Sequence, residues 1–215
     1  MRAFDDLIRQ GKVLYIGISD APAWVVSRAN TLAELRGWSQ FVGLQVEYSL
    51  IERTCDRELL PMAREMDLAV TVWSPLAGGL LTGKYAEGGD AVKEEKRLEH
   101  PMVAPLVDIT ERKRTIADAV VKVAEAIGKT PAQVALAWLC RQPGVMIPII
   151  GARRLSQLKD NMACMEVTLD DEHLQKLDEV SRIELGFPHD FVANEMVQNF
   201  AYGGMRGLID NHREI

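Results

Sequence analysis

The side chains with chemical use in this sequence gather at four places. Ser19 and Asp20 follow the apolar run VLYIGI, and Gln45 and Glu47 lie within FVGLQVEYS. Trp73 and Ser74 end LAVTVWS, and Gly151 and Arg153 follow VMIPII. If these runs are parallel strands, all eight residues share one carboxyl edge, where parallel βα folds place their sites. Familiar signatures of other chemistries are absent: there is no G-x-G-x-x-G, no G-x-x-x-x-G-K-[ST] and no G-x-S-x-G. Cys55, Cys140 and Cys164 form no Cys-x-x-Cys pair, and His100, His173, His189 and His212 are scattered, so neither a disulfide framework nor a metal site is expected.

The elements that would position these residues alternate. Apolar runs at 13–19, 41–49, 68–75 and 145–151 are rich in β-branched or aromatic residues and bounded by polar, Gly or Pro positions, which predicts strands. Between them lie helical patterns. One covers 22–36, with Trp24, Val25, Ala29 and Leu32 at helical spacing. Another covers 56–66, where Pro61 marks a late start or a kink. Strand starts near 13, 41 and 68 give the period of a single βα unit, hence a parallel sheet.

The interval 77–101 is Gly-rich and then densely charged, which reads as a long exposed loop. After it, Ile116, Val120, Val123 and Ile127 make one helical stripe, and Thr130-Pro131-Ala132-Gln133 looks like a capping box opening a second helix. LSQLKDNMA predicts a further helix, and DDEHLQKLDEVSRI another with Leu174, Leu177 and Val180 inward. From 186 to 215 there is little periodicity. No linker divides the chain, so a single domain over 1–215 is expected, with a long loop at 77–115 and an irregular tail at 186–215.

Bulk properties narrow the function. A formal net charge of −6 argues against a broad grip on nucleic acid or anionic membrane. No apolar run approaches the roughly 20 residues needed to span a bilayer, and residues 1–12 lack a signal-peptide core, so a cytoplasmic location is expected.

GKVLYIGIS, QVEYSLIER, WSPLAGGLLTGKY and IPIIGARRLSQLKDN, in this order and spacing, resemble the aldo-keto reductases, and the resemblance covers almost all 215 residues. It implies a (β/α)₈ TIM-type barrel that binds NADP(H) without a Rossmann motif, of which these four strands match the fifth to the eighth. It also implies cofactor roles. Ser19 and Gln45 would hydrogen-bond the nicotinamide carboxamide. Asp20 stands where the family often has Asn, able to accept from the carboxamide NH₂ but not to donate. Trp73 would stack on the nicotinamide. Ser74, Leu76, Gly78, Leu80 and Lys84 would clamp the pyrophosphate, with Lys84 supplying charge. Gly151, Arg153, Gln157 and Asn161 would hold the adenosine 2′-phosphate and adenine, the guanidinium fork favouring NADP over NAD.

Each position has a plainer reading taken alone. Trp73 would be a core aromatic, Ser19 and Gln45 strand-end polars, and Lys84 a solvated surface charge. Arg153 and Arg154 would be a solvent-facing pair at a helix start, and Asp20 the cap of the helix near Pro22. Only the joint pattern favours a cofactor site.

The family's reaction is NADPH-dependent carbonyl reduction, with a Tyr as general acid supported by Asp, Lys and His. All four belong to the first four βα units, and the resemblance here begins in the helix before the fifth strand. Tyr15, Tyr48, Tyr85 and Tyr202 fall at other motif positions, so no catalytic residue is assigned. A truncated reading frame, an expressed fragment and a gene for a genuine half-barrel all fit. The expectation is an oxidoreductase fragment, inactive alone in carbonyl reduction, that regains a barrel as a homodimer or with a complementary chain. The alternatives are a non-catalytic NADP-binding module and a purely structural half-barrel. A bare half-barrel would expose far more than the few hundred Å² of apolar patch usual on a monomer, so association is expected in every version. The substrate is not legible.

Overall fold

A computed structural model describes residues 1–85 and 109–210, arranged in two compact units, 1–182 and 183–215. In the first unit, strands β1 (Ile16–Ser19), β2 (Phe41–Glu47), β3 (Ala69–Trp73) and β4 (Met146–Pro148) form one sheet in the order β1-β2-β3-β4. All three pairings are parallel. Helices α1 (Arg2–Arg9), α2 (Ala23–Arg36), α3 (Leu59–Glu65), α4 (Glu111–Ile127), α5 (Pro131–Cys140), α6 (Leu155–Met162) and α7 (Asp171–Ser181) flank it. The result is an α/β fold of four parallel strands with flanking helices, as the alternation of patterns predicts.

Period-two alternation gives the sheet two unlike faces. Leu44, Val46, Val70 and Val72 are 0–3 % exposed and join the core formed with the helices. On the other face, Ser19, Gln45, Thr71 and Ile147 are register partners across all four strands. That row is open: Ser19 and Gln45 are exposed, Thr71 is half-buried and Ile147 is 45 % exposed. One sheet thus builds a greasy back and a largely polar front.

Local chemistry explains the helix ends. α3 starts at Leu59, so Pro61 falls in its first turn, where no backbone donor is needed; the late start is what forms, without a kink. The capping box before α5 is present, with Thr130 accepting from Gln133 N and Gln133 accepting from Thr130 N, while Thr130 Oγ1 also donates to Asp160. α2 departs from the sequence expectation. Its buried stripe is Val26, Asn30 and Ala33, whereas Trp24 and Leu32 are 66 % and 42 % exposed. The cause is Asn30, which accepts from Phe41 N at 2.9 Å and donates to Phe41 O at 3.1 Å. This side-chain clasp turns the helix so that a polar residue, not Trp24, faces the sheet.

Behind β2 the core is anchored by aromatic and ionic contacts. Tyr48 stacks on Trp138 with centroids 5.8 Å apart, and the Arg53 guanidinium lies 5.3 Å from the Trp138 ring. Arg53 also pairs with Asp56 at 2.7 Å and with Asp178 of α7 at 2.6 Å. Burial opposes the Arg53 charge, but its bonds to Asp178 and Asp56 outweigh that and hold its pKa up.

The second unit holds α8 (His189–Ala193) and α9 (Glu195–Tyr202), where the sequence predicted an irregular tail. Asn194 caps α9, its Oδ1 accepting from Met196 N at 3.0 Å. Helices this short carry too few turns to print a periodicity. Of the predicted loop at 77–115, residues 86–108 lie outside the described residues, and α4 begins within its last turn, at Glu111.

Candidate functional site

The carboxyl ends of β1, β2 and β3 bring four expected residues together. Ser19 and Gln45 are register partners, and Asp20 N donates to Gln45 O at 3.0 Å. The Asp20 carboxylate then accepts from both neighbours: from Ser19 Oγ at 2.9 Å and from Trp73 Nε1 at 3.1 Å. Asp20 therefore does not cap α2, whose cap position is Pro22 with no side-chain cap bond. It holds the indole by its edge, on the open face of the sheet. Glu47, the register partner of Trp73, sits beside this group, and burial followed by the charge of Glu52 raises its carboxyl pKa.

The backbone at this edge is strained. Asp20, Ser74 and Ala77 adopt φ of 49°, 52° and 48° without being glycine. Such conformations cost on the order of 1–3 kcal/mol each and persist where the surroundings over-determine them. The strain starts the turn after β3: Ala77 N donates to Ser74 O and Gly79 N to Leu76 O, winding 77–82 into 3₁₀ turns broken at Gly78 and Gly79. Gly79, at φ 98°, passes directly under Lys84. A Cβ there would stand 2.7 Å from Lys84 Cε and Nζ, so the lysine is folded back over the glycine turn. Leu76 is half-buried and Leu80 is 3 % exposed and packs in the core, so Leu80 offers a ligand only its backbone.

The remaining expected residues flank α6. Gly151, Arg153 and Arg154 are exposed, and a Cβ at Gly151 would meet no protein atom, so nothing in the described chain requires glycine there. Gln157 Oε1 accepts from Arg153 N at 2.9 Å and from Arg154 N at 3.3 Å, which ties the arginine segment to the first turn of α6. Asn161 is buried at 6 % exposure. Sequence reasoning missed two things: the Asp20–Trp73 bond, which joins residues 53 apart, and Thr71, which completes the polar row on the open face. The alternation within AVTVW was the available signal for Thr71. Among the described residues no group of three or more His, Cys, Asp or Glu is placed to hold a metal ion, and no helix is long and apolar enough to cross a membrane.

The first unit is thus a parallel α/β sheet with a polar edge, a tethered indole and a glycine turn beneath Lys84, and sequence comparison gives it a family. The sequence profile of the Aldo/keto reductase family matches residues 1–182. An uncharacterised oxidoreductase of Bacillus subtilis is 38 % identical over 178 residues, covering 83 % of this chain and 52 % of its own length. A probable aryl-alcohol dehydrogenase of Saccharomyces cerevisiae is 31 % identical over 192 residues, 88 % of this chain and 57 % of its own. An aryl-alcohol dehydrogenase [NADP(+)] of Phanerodontia chrysosporium is 35 % identical over 191 residues, 88 % of this chain and 49 % of its own. The chain belongs to the aldo/keto reductase family. It spans about half the length of the curated relatives it matches.

Proposed function

We propose that these 215 residues carry the NADP(H)-binding half of an aldo-keto reductase-type oxidoreductase site, built on half of a (β/α)₈ barrel. The observation that carries this reading is the joint placement of Ser19, Asp20, Gln45 and Trp73 at one sheet edge, with the indole fixed by Asp20. Such a group offers hydrogen bonds for a carboxamide beside a flat π-surface for its ring. The adenosine end has its own support. Arg153 and Arg154 sit at the amino end of α6, where the helix dipole favours an anion and a guanidinium fork matches a phosphate. A phosphate monoester fits, and the open space at Gly151 leaves room for its approach. Lys84 over Gly79 supplies charge for the pyrophosphate between the two ends.

Bound NADPH would supply a hydride, and the residues of this chain would orient its ring and exclude slack at its phosphates. Among the described residues of the first unit we assign no proton donor for carbonyl reduction. Tyr48 is buried with its hydroxyl donating to Asp56 at 2.7 Å, and burial followed by the Asp56 charge pushes its pKa well up. Tyr15 stands before the amino end of β1, away from the carboxyl edge. On this reading a complementary half-barrel supplies the general acid of the full reaction, and this chain alone does not reduce aldehydes. Simple aldehyde turnover by the purified chain would overturn that.

The reading of association is supported by exposed apolar surface. Trp24 and Leu35 of α2 are 66 % and 79 % exposed, Leu14 and Tyr15 before β1 are 78 % and 76 %, and Ile147 and Ile149 on the open face are each 45 %. Among the described residues, β1 and β4 also end the sheet without a further partner strand. We assign this surface to a second copy or a complementary half-barrel chain. A purely structural, cofactor-free version of the same assembly is the second reading. Calorimetric titration with NADP⁺ and NAD⁺ separates them: the binding reading predicts NADP⁺ affinity on the order of micromolar and NAD⁺ weaker by at least about tenfold. Heatless titrations with both would favour the structural reading.

A further inference from the structure

Cys140 and Cys164 are 24 residues apart in sequence and share no motif spacing, yet the fold puts their thiols in contact. Cys140 is the last residue of α5, and Cys164 lies in the 3₁₀ turn Ala163–Glu166 that follows α6 and packs on α5. Both are reduced, Cys164 is 7 % exposed and Cys140 is half-buried, so Cys140 is the thiol a small solute reaches first. Burial raises both thiol pKa values, and what distinguishes the pair is access: Cys140, the less buried sulfur, is the one that meets an oxidant first. Cys55 differs: its thiol donates to Glu47 O at 3.3 Å and burial pushes it up to about 12.

We propose that Cys140 and Cys164 form a peroxide-oxidisable dithiol whose disulfide covalently closes the segment carrying β4, Gly151, Arg153, Gln157 and Asn161. The reaction balances in two steps. The Cys140 thiol attacks hydrogen peroxide, breaking the O–O bond to give a sulfenic acid and one water. The Cys164 thiol then attacks that sulfur, forming the S–S bond and releasing a second water. Two thiols lose two electrons and peroxide is reduced to two waters. Closing the loop ties α6 to α5, which is buried along nearly its whole length. The cross-link rests on thiol contact alone; any effect on cofactor affinity would rest on the proposed NADP(H) site.

The test is mild peroxide treatment of the purified, reduced, folded protein, followed by alkylation, trypsin and mass spectrometry. Peptides 130–141 and 160–176 should appear joined, 2 Da below the sum of their masses, with Cys55 in 54–57 still alkylated as a free thiol. Amide exchange across 155–162 should slow in the oxidised form, and dithiothreitol should reverse both changes. Cys164→Ser should stop at a dimedone-trappable sulfenic acid on Cys140. Separate oxygen adducts without the joined pair, or a disulfide involving Cys55 or a second copy, would overturn the proposal.

Discussion

The indole Nε1 of Trp73 donates to Asp20 Oδ1 at 3.1 Å, so the side chain that ends β3 is fixed by the residue that ends β1. The bond crosses over Gln45 and makes the three strand ends one unit. A neutral–charged bond at an exposed edge is worth roughly 0.5–1.5 kcal/mol. Asp20→Ala should accordingly weaken NADPH binding by about 3- to 10-fold, while Asp20→Asn, which keeps an acceptor oxygen, should stay within about twofold. Dissociation constants from fluorescence titration check both, and equal losses in the two variants would remove Asp20 from its positioning role.

Gly79→Ala should cost about 1–2 kcal/mol of stability in urea unfolding, because φ 98° is hostile to any Cβ and the new methyl would meet Lys84 at 2.7 Å. It should also weaken NADPH by displacing Lys84, with a flatter salt dependence than the wild type. An unchanged salt dependence would mean that Lys84 does not face the phosphates.

Arg53→Ala should be a stability variant without a cofactor phenotype. It would leave Asp56 with the Tyr48 hydroxyl, turn Asp178 to solvent and remove the cation over Trp138, at a cost of about 2–3 kcal/mol, below that of a fully buried pair. Arg53→Lys should recover little, since one ammonium cannot reproduce the guanidinium fork that serves both acids. Urea midpoints for the two variants decide this.

Glu47 titrates above an ordinary glutamate because it is partly buried beside Glu52. A raised folded-state pKa means the folded form holds its proton more tightly than the unfolded chain. Stability from this group is therefore complete below about pH 4 and is lost as pH rises through the folded pKa. Glu47→Gln should gain under about 1 kcal/mol at pH 7, allowing for the solvent that still reaches the carboxylate, and nothing at pH 3.5. Thermal melts across pH 3.5–7 test the sign.

Much of this fold was legible because its signals are local. Strand runs, the Thr130–Gln133 capping box and the α4 and α7 stripes each follow from neighbours a few residues apart. α2 was misread because its orientation is set by Asn30 bonding to Phe41, a contact that hydrophobic periodicity does not encode. The candidate site divides in the same way. The residue types at the strand ends were visible, but the Asp20–Trp73 bond and the Cys140–Cys164 contact arise only when distant segments pack.

The central claim is that this chain binds NADP(H) through the residues at the sheet edge and the start of α6. Titrating the purified protein with NADPH, following tryptophan quenching and energy transfer to the nicotinamide, tests it most directly. The account predicts saturation on the order of micromolar, weakened at least about tenfold by Trp73→Ala and by Arg153→Ala. No saturation up to about millimolar, or saturation indifferent to both substitutions, would contradict it.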